Sequence, residues 1–162
     1  MASGLVPGGT LLVVDYGHDA AELYSPRRMA GSLLTYRAHQ VADDPFDAVG
    51  HTDITAHVDL TALERAAIAS ELVPSGRTTQ GRFLAQLGLG ELLSDLGRDP
   101  ATDAAAYLEA RGAVARLLDP RHLGAFAVLA WQSASATDDR PLDPAAATAS
   151  DGATALPGFG PA

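Results

Sequence analysis

Three shortages frame this chain of 162 residues: it has no cysteine, no lysine and few aromatic side chains, 6% of the total. Without Cys, disulfides, thiolate nucleophiles and zinc–thiolate centres are excluded. Without Lys there is neither a Schiff-base amine nor the phosphate-gripping lysine of a P-loop. The scarcity of rings leaves the core to Leu, Val and Ala. Basic runs are also missing, and the net charge is −9 with a pI of about 4.7. That sign repels phosphate backbones and anionic lipid, which argues against nucleic-acid and membrane-surface partners. No apolar run approaches a membrane span, and the first residues lack the charged-then-apolar layout of a signal peptide. The expectation is a soluble protein of a bacterial cytoplasm, the Arg-only, Ala-rich composition pointing to a GC-rich genome.

What is present suffices for one domain with a real core, since 47% of the residues are hydrophobic. Pro7-Gly8-Gly9 signals a turn, and Leu11 to Val14 form a continuous apolar run of the kind buried on both faces of a sheet, ending on Asp15-Tyr16-Gly17. His18 to Asp53 is polar and interrupted by Pro26, Pro45 and Gly50, and it reads as irregular. Thr61 and Glu64 have the spacing of a capping box at a helix start. "LVPSGRTT" reads as a Pro-bearing strand near an edge. Thr79 begins the next helix, which Gly88 and Gly90 divide into two, and Thr102 to Leu118 is a further Ala-rich helix. Phe126 to Trp131 is a second buried strand. About three strands and three helices in mixed α/β order result. Both apolar strands read as interior ones, yet too few strands are present to cover both edges of a sheet. The α/β part spans 1–133, and 134–162, made of Ala, Asp, Pro and Gly, is expected to be disordered.

Few residues carry an obvious chemistry. Asp15 ends an apolar strand, where ligands gather in open α/β sheets, although a capping role is equally consistent. His51, Asp53 and His57 form His-x-Asp-x-x-x-His, which matches no established ligand spacing, and ordinary hydrogen bonding rather than a metal is expected. Gly88-x-Gly90 lacks both a third glycine and a preceding strand, so a break between helices is the better reading. Arg27 and Arg28 could grip a carboxylate or phosphate, though a solvated pair is commoner. Trp131 belongs to the core, and Tyr36, Arg37 and His39 cluster in the irregular stretch.

As an ordered series, "GGTLLVVDYGH", "GSLLTYRAHQ", "DITAHVDLTAL", "TTQGRFLAQLGLGELL" and "GAFAVLA" resemble the C-terminal part of the MidA-like class I S-adenosylmethionine-dependent methyltransferases, relatives of the mitochondrial complex I assembly methyltransferase. The resemblance runs from Gly8 to about Gln132, with Ser32 where Thr is usual and Leu60 where Phe is usual. It implies the C-terminal portion of a Rossmann-like sheet, Leu11 to Val14 being its fifth strand and Phe126 to Trp131 the central strand that pairs with it. The resemblance also implies that the N-terminal half with the Gly-rich S-adenosylmethionine loop is missing, so the chain is expected to be a fragment that binds the cofactor weakly or not at all by itself. Protein arginine is the implied methyl acceptor. Asp15 is the candidate for acceptor positioning, and Tyr16, His39, Asp53 and His57 are the candidates for substrate binding. The partners implied are a protein substrate and either the missing N-terminal half or a second copy joined at the sheet edge. The competing reading is a non-catalytic binding or assembly module that docks through that edge.

Overall fold

Pro7, Gly8 and Gly9 turn the chain into its first strand, and the fold grows from there. The computed structural model describes residues 4–29, 31–38, 40–42 and 44–134. The strands are β1 (Thr10–Asp15), β2 (Gly17–His18), β3 (Leu33–Arg37), β4 (Gln40–Ala42), β5 (Asp53–Ala56), β6 (Val58–Asp59), β7 (Leu72–Thr79) and β8 (Ala127–Ser133). The helices are α1 (Ala20–Leu23), α2 (Leu60–Ala69), α3 (Gln80–Gln86), α4 (Leu89–Arg98) and α5 (Ala104–Leu118). Short 3-10 turns cover Pro26–Arg28 and Leu123–Ala125. The chain divides into two compact units, Tyr16–Arg65 and the remainder, with the boundary inside α2.

The larger unit is built on the antiparallel sheet β1-β8-β7. β8 is central, and its run Val128, Leu129, Ala130 and Trp131 is at most 1% exposed. A strand paired on both sides buries successive residues on both faces, which explains a continuous rather than alternating apolar pattern. β1 was expected to be interior as well. Among the described residues it has one neighbour, β8, and its residues alternate, leaving Leu12 and Val14 at 45% and 44% exposure. β7 is the opposite edge, where Pro74 costs no ladder hydrogen bond, and its register shifts between Pro74 and Gly76.

The helical readings agree closely with the structure. Thr79 caps α3, its hydroxyl accepting from the Arg82 amide at 3.5 Å. Gly88 adopts φ 87°, a left-handed conformation that suits glycine and ends α3 before α4 begins. Asp103 caps α5, its carboxylate accepting from the Ala106 amide at 2.7 Å. One cap differs. Asp59, not Thr61, accepts from the first-turn amide of α2, that of Ala62, at 2.9 Å. The Thr61 hydroxyl instead accepts from the Ala20 amide at 3.0 Å, because a tertiary donor is within its reach.

The second correction is larger. The segment from His18 to Asp53, read as irregular, contains α1, a 3-10 turn and most of the antiparallel sheet β4-β3-β5. Strands of three to five residues are too short to display a period. Thr35, 4% exposed, lies at the centre of that sheet and donates its hydroxyl to the Ala42 carbonyl. The expected tail lies almost wholly outside the described residues.

Candidate functional site

In the Tyr16–Arg65 unit, the two-residue strands β2 and β6 pair in parallel, Gly17 beside Val58 and His18 beside Asp59. Gly17 is needed here for space rather than for φ. A Cβ on it would collide with the Val58 carbonyl oxygen and meet the Leu60 side chain at 3.0 Å. The Val58 amide also donates to the Tyr16 carbonyl at 3.1 Å. This seam fixes the backbone on either side and brings residues from two distant stretches of sequence together.

The side chains gathered there form a ring cluster. The His18 and His57 rings lie 4.9 Å apart and tilted, and Tyr16 meets His57 edge-on at 5.5 Å. Arg28 Nη2 approaches His18 Nε2 at 2.8 Å, while His18 Nδ1 lies 3.0 Å from Glu22 Oε1. A guanidinium only donates, so this geometry assigns the acceptor lone pair to Nε2 and the proton to Nδ1. Glu22 Oε1 also receives Arg28 Nη2 at 3.5 Å.

His57 is different. Its Nδ1 is buried without a hydrogen-bond partner. Burial, with repulsion from His18 and Arg28, holds its pKa below the ordinary 6.5, against opposing contributions from a hydrogen bond with the Ser32 backbone and from the Glu22 charge. An imidazole in this state is uncharged at neutral pH, and its buried Nδ1 has no hydrogen-bond partner among the described residues. Nearby along the seam, the Asp59 carboxylate accepts from Tyr24 and raises that phenol above its usual 10.0, while also capping α2.

Of the residues singled out from the sequence, Tyr16 and His57 meet in this cluster. Asp15 is the last residue of β1, on the strand face of Leu11 and Val13, immediately before Tyr16. Asp53 begins β5, exposed and opposite Tyr36. It lies four residues of extended chain from His57, about 13 Å, so the two do not share one contact site. His39 lies outside the described residues. His18, Glu22 and Arg28 were missed as members of a site. The signal available was the i, i+4 spacing of His18 and Glu22, which here joins the end of β2 to α1. Among the described residues, no group of three His, Asp or Glu side chains could hold a metal ion.

Comparison with known proteins adds a second line. Residues 2–78 match a family model described as "Putative S-adenosyl-L-methionine-dependent methyltransferase". The mitochondrial protein arginine methyltransferase NDUFAF7 of Danio rerio is 33% identical over 99 residues, 60% of this chain and 21% of that protein. Its Mus musculus counterpart is 32% identical over 117 residues, 72% of this chain and 24% of that protein. The crystal structure of an uncharacterized protein from Burkholderia thailandensis aligns with TM-score 0.69 at 33% identity, over 82% of this chain and 37% of that one. A crystal structure from the same organism, of a "COG1565 superfamily member and likely methyl transferase" bound to S-adenosyl-homocysteine, aligns with TM-score 0.69 at 34% identity, over 76% of this chain and 32% of that one. The chain thus spans less than a quarter of these curated relatives and about a third of the solved chains.

Proposed function

The chain belongs to the MidA-like S-adenosyl-L-methionine-dependent methyltransferase family, and from that premise we propose that it supplies the acceptor side of a methyl transfer to a protein arginine. The observation that carries this reading is the alignment, at 34% identity, with a chain that holds S-adenosyl-homocysteine, the by-product of such a transfer. The arginine acceptor is supported by the Danio rerio and Mus musculus relatives, which are protein arginine methyltransferases.

The described residues do not fit the cofactor itself. Binding of its kind in an open α/β sheet uses a glycine turn between a strand and a helix N-terminus. Here β1 leads through Asp15-Tyr16-Gly17 into a second strand, and Gly88-x-Gly90 joins two helices. No step is therefore routed through the cofactor by these residues.

What they offer is acceptor handling. A guanidinium is a weak nucleophile because its lone pairs are delocalised, and a carboxylate that holds it bidentately orients one nitrogen and offsets its charge. Asp15 is proposed for that role, at the carboxyl end of β1. Tyr16 and His57, which meet edge-on within the Tyr16–Arg65 unit, are proposed for substrate binding, where an uncharged imidazole does not repel a guanidinium. Asp53 and His39 are assigned to binding of flanking substrate.

Asp15→Asn, placed at the equivalent position of a longer relative, should lower turnover about 100-fold while leaving cofactor affinity nearly unchanged. Equal losses in both would remove Asp15 from the acceptor site. A second reading rests on the half-exposed Leu12 and Val14 of β1, an edge able to accept a partner strand. Sedimentation of Val14→Lys against the parent chain separates it, since only a docking module loses its assembly through that change.

A further inference from the structure

The chain has 20 acidic residues against 11 basic ones, so a locally positive cavity stands out from its background. One exists in the Tyr16–Arg65 unit: an open surface cavity of about 580 Å³ lined by Glu22, Ser25, Arg27 and Arg28, with Glu22 and Arg27 exposed to solvent. The two arginines are consecutive on the 3-10 turn Pro26–Arg28, whose leading proline limits backbone freedom.

The charges in this cavity do not balance. Glu22 is its one carboxylate, and the same oxygen, Oε1, receives both His18 Nδ1 at 3.0 Å and Arg28 Nη2 at 3.5 Å. Arg28 directs its shorter bond, 2.8 Å, at the His18 Nε2 lone pair, which fixes the side chain without neutralising it. Arg27 has no ion pair or hydrogen bond among the described residues. Two guanidinium groups thus border a cavity with one shared carboxylate.

We propose that this cavity is a binding site for an oxyanion, a carboxylate or a phosphate. Arg27 supplies the paired N–H donors that match such a group, Arg28 supplies the second positive charge from a position locked by His18, and Ser25 lines the same cavity. The site is independent of the methyl-transfer reading, because it requires neither Asp15 nor His57.

The test is a nuclear magnetic resonance titration of the full chain, following arginine Nε–H signals. The probes are inorganic phosphate and, separately, the capped peptide acetyl-Gly-Glu-Gly-amide. Saturable shifts of Arg27 and Arg28 are expected with at least one probe. Arg27→Ala and Arg27→Gln should each weaken that binding at least about tenfold, the loss of one charge-assisted pair. The His18 and His57 ring signals should stay in place and report an intact fold, and the Gln variant remains informative if the Ala variant fails to fold. A response to phosphate alone identifies a phosphate-bearing ligand, and a response to the peptide alone identifies an acidic side chain; both support the site. No saturable shift with either probe, or unchanged affinity in both Arg27 variants, overturns it.

Discussion

The two units of this chain are held together by different means. The larger one is organised by a single strand, β8, whose Val128, Leu129 and Trp131 are among the most buried side chains of the described residues. The Tyr16–Arg65 unit has few buried residues, Leu23, Thr35 and Leu60. In their place it has short strand pairings, a threonine hydrogen bond at the centre of a small sheet, and the Arg28–His18–Glu22 chain of polar contacts. It also exposes Tyr24, Met29, Val41, Phe46 and Val49 by 65% or more. The difference teaches that the two units draw on different interactions. Apolar burial dominates the stability of one, at about 25 cal/mol per Å², while polar geometry specifies the other. Regions of the second kind open more readily.

The strongest way to break this contrast is Trp131→Ala. Removing a fully buried indole should destabilise the larger unit by about 3–5 kcal/mol. Hydrogen exchange should show the amides of β1, β7 and β8 losing far more protection than those of β3 and β5. Equal losses would mean that the two units unfold as one.

Gly17→Ala sharpens the comparison from the other side. A methyl group there must displace the Val58 carbonyl or the Leu60 side chain, a strain of about 1–3 kcal/mol. The expected outcome is loss of the Tyr16–His57 ring contact, read from ring-current shifts, with the β8 amides still protected. A chain that keeps its ring shifts would show that the seam has room to yield.

The smallest effect is that of pH. His57 has a folded pKa below its ordinary 6.5. As pH falls below 6.5 the unfolded chain takes up the proton first, so the unfolded state binds more protons and stability declines. The contribution is complete above about pH 6.5 and is lost as pH falls through the folded value. His57→Gln should therefore flatten the mild-acid slope in the Tyr16–Arg65 unit and leave the β8 sheet's slope alone. An unchanged slope would assign the acid sensitivity to another group.

The sequence displayed the scaffold well and the site poorly, for a physical reason. β8, β7, α3, α4 and α5 are each specified locally, by a continuous apolar run, a proline at an edge, threonine and aspartate caps, or a left-handed glycine. Such signals lie within a few residues of the structure they create. The sheet β4-β3-β5 is too short to carry a pattern, and its order depends on pairings between distant segments. Tyr16 and His57 were legible as polar residues at the ends of apolar stretches. That they touch, and that Arg28 reaches His18, was not, because the residues of each pair are separated by 41 and 10 positions.

By itself, then, the sequence determined the helices and strands of the larger unit, which residues must be buried in β8, and the family that the ordered motifs resemble. Only the tertiary structure decided which cap α2 uses, which imidazole nitrogen carries the proton in His18, and which ring nitrogen of His57 is buried without a partner among the described residues. Local backbone preference and apolar periodicity act over one or two turns of chain and are written in consecutive residues. Hydrogen-bond partners, charge balance and desolvation depend on what is brought near in space, and they exist only once the chain has folded.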